Sequence, residues 1–260
     1  MLERTKKQIA YGTGAAVLVL AILSLATAGS VSVSPQAAPM PIEGHLPIIL
    51  ESLDIVQQPA RPGIENSIDI AARLRNPNPI SGTAKYPVIF TVKNRLGTEV
   101  KKVTVESYLL PGAIQYVMAL NVGLGQEAVG SVDAIMPSQV SFSELPPDTQ
   151  PPTFSAFARQ HRDRQIGDSQ IQDQFGIVKN TGTFAWEKVE VYVVGQSSEG
   201  KVVAVGKTFV GALKVGEERE FSVQWPRPVE AIDRILILPS TNMFAEDNIT
   251  QTVGRPELLQ

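Results

Sequence analysis

Residues Ser67–Lys93 read SIDIAARLRNPNPISGTAKYPVIFTVK. Ser67–Leu74 and Val88–Lys93 alternate apolar with polar side chains, the period of an extended chain with one face in a core. Val100–Val105 and Ile114–Leu120 continue the pattern, each bounded by Gly, Pro or Asn. The same plan returns about a hundred residues later, in Gln172–Val178, Lys188–Val194, Val202–Val210, Glu218–Gln224 and Arg234–Leu238.

The two copies align in order. Ala72-Arg-Leu-Arg-Asn76 matches Gly176-Ile-Val-Lys-Asn180, Glu127-Ala-Val129 matches Glu230-Ala-Ile232, and Ile135-Met-Pro-Ser138 matches Ile237-Leu-Pro-Ser240. An offset that holds near 103 and drifts only between strands is what loop deletions produce in a duplicated unit. Arg95-Leu-Gly97 and Ser198-Glu-Gly200 place glycine where a tight hairpin needs positive φ. No segment after residue 34 carries a sustained helical stripe. The expected fold is all-β: two tandem immunoglobulin-like antiparallel β-sandwiches preceded by one N-terminal transmembrane helix.

That helix is read from residues 9–33. From Gln8 to Ile42 there is no charged side chain, and Arg4, Lys6 and Lys7 lie only before the run. At ~1.5 Å per residue the stretch is long enough to cross a hydrocarbon core. The basic flank places residues 1–8 in the cytoplasm and the rest outside. Cleavage after Ala26-Thr-Ala28, giving a secreted protein, is the alternative. Four prolines in residues 34–46 and at Pro47 favour an extended stalk. The expected organisation is then a first sandwich over 47–146, a Pro-rich hinge over 147–152, a second sandwich over 153–250 and a tail over 251–260.

Arg75-Asn-Pro-Asn-Pro79, followed by Gly82, resembles the Asn-Pro-Asn turn of the late-embryogenesis-abundant type 2 sandwiches. Val178-Lys-Asn-Thr-Gly182, followed by Val189-Glu-Val-Tyr-Val193, resembles bacterial FxLYD-type surface domains. Lys6-Lys-Gln-Ile-Ala-Tyr-Gly12 ahead of an apolar helix looks like the opening of bacterial membrane-anchored proteins with two such domains. The resemblance implies fold and location and carries no catalytic residues.

Composition narrows function by exclusion. A net charge of −3 gives no basic footprint for nucleic acid, and zero cysteines exclude disulfides and thiolate chemistry. His45 and His161 are too far apart in sequence to suggest a ligand cluster. Gly123-Leu-Gly125 lacks the spacing of a dinucleotide loop and reads as a hairpin connection. Asp163, Asp168 and Asp173 lack the alternate spacing of a calcium loop and read as part of a solvated linker strand. Asn248-Ile-Thr250 fits a glycosylation sequon by coincidence. No catalytic, cofactor or metal residues are assigned, and no enzyme is expected.

Three positions stand out as binding or turn residues. Asn76 and Asn180 recur at one repeat position, either as paired ligand contacts or as side-chain turns closing a strand. Trp186 and Trp225 read as packing residues, with Trp225 held open as an exposed ring before Pro226-Arg-Pro228. The expected function is a non-catalytic, membrane-tethered interaction module, spacer or scaffold in the cell envelope. Its partners would be the membrane, through the N-terminal helix, and an envelope protein; the alternative is a surface glycan or lipid. A long uncovered edge strand would favour the protein partner, exposed aromatics the glycan.

Overall fold

The alternating stretches are strands, and they run further than the pattern that marks them. The computed structural model describes residues 44–58, 65–146, 149–166, 169–225, 229 and 231–252. The expected cytoplasmic tail and transmembrane helix, the stalk up to residue 43, Pro147, Asp148, Asp168, Pro226-Arg-Pro228 and residues 253–260 lie outside the described residues. No helix among the described residues is long and apolar enough to cross a membrane. Residues Val31–Gln260 form one compact unit.

The first half contains β1 (Ile49–Gln58), β2 (Asn66–Arg75), β3 (Ser81–Asn94), β4 (Glu99–Leu109), β5 (Ile114–Gly125), β6 (Val129–Ile135) and the short β7 (Ser143–Glu144). The second contains β8 (Phe154–Ile166), β9 (Ser169–Asn180), β10 (Phe184–Gln196), β11 (Val202–Leu213), β12 (Glu218–Trp225), β13 (Arg234–Ser240) and β14 (Ile249–Thr252), with one 3-10 turn at Glu246–Asn248. β1, β6, β7, β8 and β14 go beyond the strands legible as alternation. All pairings are antiparallel: β1-β2-β5 and β4-β3-β6 with β7 on β3, then β12-β9-β8 and β11-β10-β13 with β14 on β10. The pairing scheme of the first seven strands thus repeats in the last seven.

Each half has its own apolar core. Ile68, Ile70, Ala72 and Leu74 of β2 face Tyr86, Val88, Phe90 and Val92 of β3 in the first. Val178 of β9, Phe221, Val223 and Trp225 of β12 face Trp186, Val189, Val191 and Val193 of β10 in the second. At the hairpin tips Gly97 and Gly200 have φ +80° and +79°, the left-handed region that a side chain resists.

The halves also meet each other. Val56, Ala71, Tyr116 and Met118, on the outer face of β1-β2-β5, pack with Tyr192, Val194 and Val205 on the outer face of β10 and β11. The connection at residues 146–152 therefore joins halves already held sheet against sheet. Two contacts extend this interface: Asn242 Nδ2 donates to Ala84 O at 3.1 Å, and the Phe244 ring closes over Gly82. A Cβ at Gly82 would stand 2.6 Å from that ring and closer still to Leu109 O, so glycine there leaves room for the ring.

Candidate functional site

Asn76 and Asn180 end β2 and β9, and the structure gives both the same set of bonds. Asn76 Nδ2 donates to Ser81 O (2.7 Å) and Leu110 O (2.9 Å), while its Oδ1 accepts from Asn78 N (3.0 Å). Asn180 Nδ2 donates to Phe184 O (2.7 Å) and Leu213 O (3.1 Å), while its Oδ1 accepts from Gly182 N (3.0 Å). Each side chain therefore ties the turn after its strand to the end of the strand two further on. At 1% and 0% exposure neither amide can reach a ligand. The two residues sit in separate cores and form no joint site.

Trp225 is a packing residue, and the exposed alternative held open for it fails. It is 1% exposed, and its indole N–H donates to Val205 O at 3.0 Å. The strand β12 carries it inward on the same face as Phe221 and Val223, which is why its position at a strand end does not expose it. Trp186 is equally buried. Asp173 is corrected too: it is buried beneath Arg164, whose guanidinium donates to both carboxylate oxygens, rather than solvated. Asp163 remains exposed, beside His161. Gly123 and Gly125 are corrected from a hairpin connection: they are among the last residues of β5, paired with Ser67 and Asn66, and the connection to β6 follows them. Asn248 is consumed internally, accepting from Lys188 N and donating to Thr241 Oγ1 and Asn242 O. Among the described residues there is no group of metal-ligating side chains.

Where the halves meet, a polar node borders the apolar contact. Glu190 accepts from Tyr192 Oη at 2.7 Å and lies 3.1 Å from Lys207 Nζ and 3.3 Å from Lys188 Nζ. Burial pushes the Glu190 carboxyl up, but the two lysines and the tyrosine hydroxyl outweigh it and hold the group below its usual range. Burial, reinforced by the Glu190 charge, raises the Tyr108 and Tyr192 phenols well above theirs. Tyr108 and Gln115 come from the first half and Glu190, Tyr192 and Lys207 from the second. The ion pairs of the node lie within the second half, and the first half borders them with the buried Tyr108 and Gln115.

The feature that alternation did not reveal is β8. Its sequence, FSAFARQHRDRQI, is too charged to read as a half-buried strand. Its position relative to β1 in the repeat was the signal that marks it. β8 pairs with β9 along one edge through Phe154↔Asn180 to Ile166↔Ser169, and among the described residues no strand pairs with the other. Phe157 to Asp163 are all exposed. Phe157 is 47% exposed, Arg159 pairs with Glu220, and Arg162 lies over the Phe175 ring. Beside this edge, where the two sheets of the second half part, a groove of about 480 Å³ is lined by Ala158, His161, Gln172, Ile232, Asp233 and Ile235. An open strand edge next to a mostly apolar groove can bind an extended chain through its backbone while the groove takes side chains.

The chain matches no protein-family model and no curated protein sequence.

Proposed function

We propose that this protein is a non-catalytic interaction module of the cell envelope, tethered by an N-terminal transmembrane helix with its β-domains outside. Each half reads as immunoglobulin-like: three strands in one sheet, and the remainder around a central third strand in the other. The observation that carries the function is the thirteen-residue edge strand β8, which takes no second strand partner among the described residues and lies beside a groove. An unpaired strand edge beside a groove is where an extended chain can dock. The glycan or lipid alternative leaned on an exposed Trp225, and that ring is buried. The charge-free segment Gln8–Ile42 and its basic flank supply the tether.

The test is photo-crosslinking in intact cells, with a photoreactive residue placed in turn at exposed sites on both halves, among them Gln160, Leu96 and Phe209. The module reading expects a discrete crosslinked envelope protein from at least one site. Absence of any discrete product from every site, with the protein present in the membrane fraction, contradicts it.

A further inference from the structure

We infer that the β8 edge takes an extended, acidic-aliphatic segment of a partner protein as an added antiparallel or parallel strand. This rests on the interaction-module reading and names the chemistry of its partner. The argument begins with which way side chains point along β8. Register pairs Phe157 with Ile177 and Gln160 with Phe175, across a bulge between Ala158 and Gln160. Val178, the inward neighbour of Ile177, lies in the core. Phe157, Gln160 and Arg162 therefore stand on the outer face, and Ala158 and His161 point to the groove side, where they line it.

A strand added to this edge would carry on the same alternation. Its groove-side residues would meet Ala158, Ile232 and Ile235, against which a valine, isoleucine or leucine packs, with His161, Gln172 and Asp233 at the groove's polar side. Its outer residues would stand beside Arg159 and Arg162. Arg159 is exposed, with only an exposed carboxylate opposite, and Arg162 lies over the Phe175 ring and makes no ion pair among the described residues, its cross-strand partner Asp173 being taken by Arg164. Carboxylates at the outer positions complement both guanidiniums, whereas lysines there would be repelled.

The experiment uses the full chain in detergent micelles and a short fluorescein-labelled peptide alternating Glu with Val, read by anisotropy. Two control peptides replace every Glu by Lys, or carry N-methyl groups on alternate amides. The Glu-Val peptide should bind. Both control peptides, and Arg162→Glu in the protein, should weaken binding by about tenfold or more. Ile232→Arg, which fills the groove, should do the same; Arg162→Glu, being on the surface, keeps the test decisive if the groove variant fails to fold. Equal binding of the Glu and Lys peptides, or binding indifferent to N-methylation and to Arg162→Glu, overturns the inference. So does sedimentation showing that the edge is instead occupied by a second copy, with dimers that Arg162→Glu dissolves. A discrete crosslink from Leu96 or Phe209 with no peptide binding would leave the module reading standing and the β8 assignment wrong. No crosslink from any site would remove the module reading itself.

Discussion

At the scale of single residues, the duplicated asparagines each hold three backbone groups through one side chain. Removing either amide strips two buried carbonyls and one amide of their partners at once. Asn180→Ala and Asn76→Ala should each cost about 2–3 kcal/mol, more than one net hydrogen bond because the freed groups stay buried. Urea titration should show a lower midpoint for each, while peptide or partner binding under folding conditions stays unchanged. That these residues close turns was legible in the sequence, since both precede a Pro- or Gly-containing turn at one repeat position. Their second partners, Leu110 and Leu213, were not, because a contact spanning more than thirty residues leaves no local signal. Tyrosines give a second residue-scale expectation. Burial raises Tyr86, Tyr108 and Tyr192 above the usual phenol value. The unfolded phenols ionise near ~10 while the folded ones stay neutral, so the stability they contribute is full below that pH and is lost above it. A near-ultraviolet absorbance titration should show these three ionising only together with unfolding. Glu190, held below its usual range, acts with the opposite sign: its contribution is full at neutral pH and is lost as the solution is acidified through its folded value.

At the scale of elements, alternation located the strands that have one face in a core and one in water, such as β2, β3, β10 and β12. It passed over β8 because a strand at an open edge can be charged on both faces without penalty. It passed over β7 and β14 because strands of two and four residues are too short to show a period. The alternative of an exposed ring for the tryptophan at the end of β12 fails for a related reason. Position along a strand does not tell exposure; parity does, and Trp225 shares the parity of Phe221 and Val223. Arg164 offers an element-scale test, since it covers Asp173 and fastens β8 to β9. Arg164→Ala leaves a carboxylate 2% exposed without its cation. It should lower the melting temperature and raise amide exchange in β8 before β10. Uniform exchange in the two strands would mean the pair does not hold β8.

At the scale of the whole molecule, the interface between the halves uses unlike faces of like units. Such a heterologous contact propagates into a filament unless the two remaining faces are made unlike their counterparts. Sequence has done that here. The positions in the second half equivalent to Ala71, Tyr116 and Met118 are Phe175, Glu220 and Ser222, by the pairing of Ala71 with Met118 and of Phe175 with Ser222. The positions in the first half equivalent to Tyr192, Val194 and Val205 are Ile89, Thr91 and Lys102, paired in the same way. Charged and hydroxyl groups thus replace two of the three apolar residues at each open end, Phe175 and Ile89 alone staying apolar, and the described chain should sediment as a monomer. The repeat was readable from the sequence, but its packing was not. Nothing in a strand's own alternation distinguishes an outer face that meets water from one that meets another sheet, except the unusual apolar character of Ala71, Tyr116 and Met118.

The central structural claim is that two homologous halves are locked through Tyr116, Met118, Tyr192 and Val205 into one body that presents β8. Because the chain has no cysteine, spin labels can be placed at Leu96→Cys and Glu199→Cys, at the hairpin tips of the two halves, without competing sites. Pulsed electron paramagnetic resonance should give a single narrow distance distribution, broadened when Met118→Asp puts a charge into the interface. A broad or multimodal distribution in the otherwise unmodified protein would contradict the account, showing halves that move about the proline-rich connection.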